Sequence, residues 1–198
     1  MSGSSGKADG ATGRAGATAG GAGAAAERAV VADLRFRRPT EADHPGIVTK
    51  IDHWWGGRRL HDLLPRLWFQ HFTGTSWVAE RPDGTVVGFL VGFVSPDRPT
   101  VAYVHMIGTD PNVRRRGLGA ELYRRFFDDV RSRGVDEVLA ITWPGNPGSV
   151  EFHRALGFEP DAGPGSRNIY GTAAFADYDY PGEDRVVLRR RLEPGSVG

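Results

Sequence analysis

The stretch from Thr100 to Phe127, TVAYVHMIGTDPNVRRRGLGAELYRRFF, leaves a chain like this few ways to fold. It opens as a strand, with Val101, Tyr103, His105 and Ile107 alternating against Ala102, Val104 and Met106 in a largely apolar run. Turn formers then break it at Asp110-Pro111-Asn112. Arg114-x-x-Gly117-x-Gly119 leads into a helical pattern, with Leu118, Leu122, Phe126 and Val130 recurring every four residues and Tyr123 and Phe127 widening the apolar face. Strand, glycine turn and helix in that order expose the bare N–H groups of a helix start, where a phosphate can sit. Gly117 and Gly119 carry no Cβ to block a close approach to the backbone, and Arg114, Arg115 and Arg116 supply positive charge.

A second constellation follows the next apolar strand, in ITWPGNPGSVEFHRALGFEP. Asn146, Ser149, Phe152, His153, Gly157 and Phe158 stand there in the spacing N-x-x-[A/S]-x-x-F-x-x-x-x-G-F. In this order and at this distance, the two stretches resemble the paired core motifs of the GCN5-related N-acetyltransferase (GNAT) superfamily over about residues 33–193. The resemblance implies an α/β domain with a GNAT-like fold: a central twisted mixed sheet of about six to seven strands, with about four helices on both faces. It also implies acetyl-CoA as acyl donor. The cofactor would be held by Arg114, Arg115, Arg116, Gly117, Leu118, Gly119 and Ala120 at the turn, by Met106, Ile107 and Gly108 through free backbone groups of the strand end, and by Asn146 and Ser149. In one respect the chain departs from the pattern: His153 stands where members often carry the tyrosine that protonates the leaving thiolate.

Composition narrows the field. The 198 residues can bury one good core. With 25 basic and 24 acidic side chains the net charge is +1, which argues against bulk attraction to nucleic acid or a membrane. Cysteine is absent, so no disulfide, thiolate metal site or cysteine nucleophile is available, and acyl transfer has to be direct or use another group. No metal site is expected. No run approaches the ~18–20 apolar residues of a membrane span, and a cytoplasmic protein is the expectation. Only Lys7 and Lys50 are lysines; with so much Gly, Ala and Pro, this suggests a bacterial source of high-GC genome.

Along the chain, residues 1–30 hold 8 Gly and 10 Ala and no aromatic, so residues 1–31 read as a disordered tail and 32–194 as the domain. An edge strand over 33–38 precedes a helix capped near Thr40. Trp54-Trp55-Gly56-Gly57 interrupts the helical pattern, which restarts at Pro65. A hairpin follows over 76–80 and 85–94, its second strand apolar on both faces, with Gly88 and Gly92 marking a close approach from one side. The strand over 135–142 runs parallel to the one before the helix. A Gly/Pro-rich loop over 159–183 precedes the last strand, 185–192.

For the chemistry, His105 is a candidate base, placed like one of the strand histidines of a related amine acetyltransferase; Tyr103 shares its face, and His153 is a candidate acid. Trp54, Trp55 and Arg58 lie where the family builds one side of the acceptor pocket, and Tyr178 and Asp179 lie in the loop expected opposite. Aromatic faces beside a carboxylate suggest a cationic acceptor, whereas Arg58 and Arg59 could hold a carboxylate and make the acceptor an amino acid. The expected activity is acyl-CoA-dependent N-acylation, by acetyl from acetyl-CoA, of a small primary amine, with a homodimer as candidate assembly. Two alternatives stand: a protein acetyltransferase acting on lysine or an N-terminus, and a non-catalytic acyl-CoA sensor.

Overall fold

A computed structural model describes residues 31–193; the disordered tail expected over 1–31 falls, but for Val31, outside them. In chain order the elements are β1 (Arg35–Arg37), α1 (Asp43–Trp54), α2 (Leu67–His71), β2 (Trp77–Glu80), β3 (Val86–Val94), β4 (Val101–Thr109), α3 (Leu118–Arg131), β5 (Glu137–Thr142), α4 (Pro147–Ala155), β6 (Glu159–Pro160), β7 (Arg167–Ile169), β8 (Thr172–Ala174) and β9 (Val186–Arg191). Seven strands form one sheet in the order β1-β2-β3-β4-β5-β9-β6, while β7 and β8 make a separate hairpin. Among the described residues only β4 and β5 pair in parallel, as the intervening α3 crossover requires. The β7–β8 hairpin and short β6 lie in what the sequence suggested was a plain loop; strands of two or three residues among Pro and Gly carry no periodicity to read.

The sheet separates two cores. On one face α3 buries Leu118, Leu122, Tyr123, Phe126, Phe127 and Val130 against Val87, Leu90, Ala102, Val104, Val138 and Leu188. Each large apolar side chain so buried is worth about 1.5–3 kcal/mol, which makes this helix the main fastener of the domain. It can lie close because β3 presents glycines: a Cβ on Gly92 would stand 2.7 Å from the Phe126 ring, and one on Gly88 would stand 3.0 Å from Leu118. Gly134, at φ 80°, ends the helix region, and Val135 N–H returns to the Val130 carbonyl. On the other face, Ile47, Ile51 and Trp54 of α1 and Phe69 of α2 pack on Val78, Phe89 and Val91.

The start of α1 differs from the expected threonine cap. The Asp43 carboxylate accepts from Thr40 N–H at 2.7 Å and from the Thr40 hydroxyl at 3.0 Å. Arg37 clamps the same carboxylate and Glu80, tying α1 to the sheet edge.

The main correction concerns β4. Its pairing with β3 runs Val91↔Met106 and then Gly92↔Val104, leaving His105 as an extra residue, a β-bulge. Strict alternation therefore fails: Val104 and Ile107, three residues apart, both pack with the α3 core, while Met106 joins the α1 side. At the same place β4 parts from β5, the last pair being Val104↔Ala140. Bulge and separation coincide at His105.

Candidate active site

The turn before α3 is built for an anion. Arg115 and Gly117 both sit at positive φ, 57° and 78°. Alternating left-handed residues curl successive N–H groups into a concavity. Gly117 is the N-cap and offers no side chain, and the first helical bond runs from Glu121 N–H to the Gly117 carbonyl, so the N–H groups before it are left for a ligand. Leu118 is a core residue and contributes only backbone; Arg116 and Ala120 are exposed beside a groove of about 760 Å³ between α3 and β1. Gly119 lies under the Phe152 ring, where a Cβ would come within 2.9 Å, so it also allows α4 to close on α3. Arg114 departs from its expected role. Its guanidinium donates to the Trp54 carbonyl and to the Thr109 carbonyl at 3.3 Å, binding the turn to the C-terminal end of α1.

Beyond Val104, the β5-facing edge of β4 has no strand partner among the described residues, and this exposes backbone groups of Met106, Ile107 and Gly108. Across the gap, Asn146 caps α4, its Oδ1 accepting from Ser149 N–H at 3.2 Å, which leaves its amide nitrogen to donate elsewhere. A helix start with open N–H groups, an unpaired strand edge and a free amide line one cleft. These are the donors and acceptors that a pyrophosphate and an extended amide-bearing arm require, so the residues present fit acetyl-CoA.

His153 does not turn toward that cleft. It is 5% exposed, and Nδ1 lies 2.7 Å from the Ser149 carbonyl and 3.4 Å from the Ser149 hydroxyl. A carbonyl only accepts, so Nδ1 carries the hydrogen and Nε2 accepts from the Tyr123 hydroxyl at 2.7 Å. Burial pushes the ring's pKa below the ordinary histidine value, despite the Ser149 bond. Both nitrogens are engaged inside the core, at odds with an acid facing the thioester. Burial likewise raises the Tyr123 hydroxyl, which stays protonated.

His105 is half-buried. Its ring stacks on Trp68 at 4.1 Å between centroids and 10° between planes. Nε2 donates to the Leu63 carbonyl at 2.6 Å, which leaves the lone pair of the neutral ring on Nδ1. Burial lowers its pKa, opposed by the Leu63 bond, so the ring is neutral at pH 7. Tyr103 packs on Phe93 at 5.8 Å, and Phe93 on Trp68 at 6.0 Å, so the expected shared face exists as an aromatic wall. Burial, with Tyr178 and Asp179 nearby, raises the Tyr103 hydroxyl and keeps it protonated.

The expected acceptor residues divide. Trp54 is 2% exposed and stacks on Phe89, a core plug rather than a contact surface. Trp55 leans over Gly108, which has no Cβ to push it away. Arg58 is exposed, and Tyr178 is 48% exposed. Asp179 is not a free carboxylate: Arg185 bridges it at 2.8 Å and Glu183 at 2.8 Å, which weakens the case for an anionic cage. Sequence reasoning missed Trp68, Trp143 and Tyr170, which carry no motif, and Asp52. The Asp52 carboxylate accepts from Leu60 N–H at 2.7 Å and His61 N–H at 3.0 Å, shaping the loop that carries Trp55 and Arg58.

A parallel strand pair that opens beside a helix start with free N–H groups can take the phosphates and the extended arm of an acyl-thioester donor. The acetyltransferase (GNAT) family model matches residues 43–158, and the chain belongs to that family. Acetyl-CoA is the family's acyl donor. The chain is 30% identical over 178 residues to the L-2,4-diaminobutyric acid acetyltransferase of Streptomyces coelicolor, covering 86% of this chain and 98% of that protein. It is 31% identical over 115 residues to the Nocardia farcinica protein of the same name, covering 58% of this chain but only 59% of that one. A crystal structure of a GNAT-family protein from Desulfovibrio desulfuricans shares the fold, with TM-score 0.66 and 18% identity over 81% of this chain and 99% of that one. Among the described residues no cluster of ligands suits a metal ion, and no helix is long and apolar enough to cross a membrane.

Proposed function

We propose that this N-acetyltransferase transfers the acetyl group of acetyl-CoA to a primary amine on a small molecule, by direct attack. The single observation that carries the reading is His105, the bulged residue at the point where β4 leaves β5. Similarity to two diaminobutyric acid acetyltransferases supports a small amine-bearing acceptor. The near-balanced charge of +1 and the lack of cysteine favour such a molecule and a cytoplasmic setting over nucleic acid or an oxidising compartment.

When bound, acetyl-CoA supplies the thioester carbonyl that the amine attacks. The N–H groups from Arg115 to Ala120 would hold its pyrophosphate, with Arg115 and Arg116 adding charge, and the free edge of Met106, Ile107 and Gly108 would hold its arm together with Asn146 and Ser149. An N–H of Ile107 or Gly108 would donate to the thioester carbonyl oxygen. His105 takes the amine proton at Nδ1, while its Nε2–H stays on Leu63, and the CoA sulfur would leave as the thiolate, to which that proton can return. Trp68 and the Leu63 carbonyl fix the ring, and the bulge aims it. Tyr103 and Tyr178 wall the acceptor side, and Trp55 closes over Gly108. Asp179 holds its own loop through Arg185.

The test is His105→Gln, assayed by thiol release with acetyl-CoA and a panel of small amines. A lost base of this kind should lower kcat/KM by about 10²–10⁴-fold. Because the base is active only when neutral, wild-type activity should fall as pH drops through its depressed pKa, and that acid limb should vanish in the variant. CoA affinity should stay within about threefold. A wild-type rate and pH profile in the variant would remove His105 from the reaction.

A further inference from the structure

Three segments far apart in the chain meet beyond the end of β5 and present side chains that the reaction as described does not use. Trp143, the residue after β5, is 43% exposed, and Tyr170, at the tip of the β7–β8 hairpin, is 76% exposed. Their rings meet edge to face at 6.1 Å. The Arg58 guanidinium, from the loop after α1, lies 5.1 Å over the Trp143 ring. The exposed Trp143 ring is held in place. A Cβ on Gly145 would run into the indole, so the glycine lets the ring lie flat on its own turn. Tyr170 has φ 50° beside Gly171 at 85°, a left-handed pair suited to a tight hairpin but costly for an aromatic residue. The Asn168 side chain takes the Gly171 N–H at 2.9 Å and secures the turn.

Arg58 is also without a carboxylate among the described residues, whereas its neighbour Arg59 pairs with Asp62, and Arg66 pairs with Glu41. The indole face orients its guanidinium without neutralising it, and a planar fork of N–H donors is the group that matches a carboxylate. The location is apt. Trp143 continues the strand that β4 has just left, and the loop of Arg58 is the one whose Trp55 leans on Gly108. This cation therefore sits between the strand that β4 leaves and the loop that reaches the free end of β4.

We infer that Arg58, Trp143 and Tyr170 form the subsite for the non-reacting end of the acceptor, and that this end is a carboxylate. The acceptor is then an amino acid bearing a second amine, not a simple diamine. Arg58 binds the carboxylate, and Trp143 and Tyr170 line the adjoining carbon chain. The inference rests on the small-amine reading above and is tested so that the two can fail separately.

The probes are L-2,4-diaminobutyrate and 1,3-diaminopropane, which differ by the carboxylate alone. Wild type should prefer the first. Losing a charge-assisted fork to the carboxylate should raise its KM by about 10–100-fold in Arg58→Gln. The KM for acetyl-CoA and for diaminopropane should stay within about threefold, so the preference collapses; Arg58→Lys, with charge but no fork, should recover part of it. Arg58 is exposed, so an unchanged melting temperature is the folding control. If wild type acetylates diaminobutyrate and Arg58→Gln keeps its KM, the carboxylate subsite is wrong while the small-amine reading stands. Equal use of both probes by wild type also defeats the subsite. A wild type that acetylates neither probe defeats the subsite, and one that acetylates no amine of the panel defeats the small-amine reading as well.

Discussion

His105 and His153 are alike as letters and opposite as groups. Each donates one ring N–H to a backbone carbonyl, Leu63 for the first and Ser149 for the second. They differ at the other nitrogen. At His153 it is spent on Tyr123 inside the core; at His105 it remains open at the fork of two strands. The spacing of the second motif located His153 and its helix, but not its rotation into the core, which depends on Tyr123 arriving from another helix. Tyr123→Phe should leave a buried ring nitrogen without its donor and cost about 1–3 kcal/mol by denaturant unfolding. His153→Phe combined with Tyr123→Phe should cost less than the sum of the single changes. Additive costs would mean that the two groups do not depend on each other.

The element most legible in the sequence was the run from β4 through α3. Its apolar spacing predicted both elements, and the two glycines predicted the turn. The structure adds a division of labour between them. Gly117 has open space around its α-carbon but sits at φ 78°, so its demand is conformational; Gly119 lies under Phe152, so its demand is room. Gly117→Ala should therefore cost about 1–2 kcal/mol from the left-handed backbone alone. It should also weaken CoA binding in calorimetry, because the N–H cradle is lost with the turn. Unchanged CoA affinity would place the pyrophosphate elsewhere. Arg114 gives a second prediction at this scale. It ties this turn to the Trp54 carbonyl, where α1 passes into the Arg58 loop. Arg114→Ala should accordingly raise the acceptor KM by about 3–10-fold, on the scale of one lost hydrogen bond, and acceptor titrations at saturating acetyl-CoA measure it. An effect confined to the CoA KM would return Arg114 to phosphate binding.

Across the whole molecule, the two depressed histidines set a pH dependence. Their folded pKa values lie below the ordinary value of about 6.5 that they regain on unfolding. Between the two values the unfolded chain binds more protons, so stability is full above pH 6.5 and falls as pH drops below it. Asp161, held below the usual carboxylate range by Arg189, yields only at lower pH, which keeps the two windows apart. The melting temperature should decline from pH 7 to 5, and more shallowly in His105→Gln. A flat profile for wild type would show that neither ring is neutral-locked in the folded state.

The amino-acid sequence alone determined the mixed sheet, the parallel crossover and the glycine turn before α3, because each rests on local periodicity or on a glycine that a nearby backbone needs. It also determined the family, through two motifs whose spacing reflects one helix start and one helix cap. Only the tertiary structure decided what those residues face. The bulge at His105 follows from β4 having to match β3 on one side while leaving β5 on the other, and no window of the sequence contains both partners. Trp54 became core because Phe89 lay beneath it, and Asp179 lost its free charge because Arg185 came within reach. The Arg58, Trp143 and Tyr170 cluster spans more than a hundred residues of chain. Such a contact is written in no motif, since it is made by the return of the chain and not by its local order.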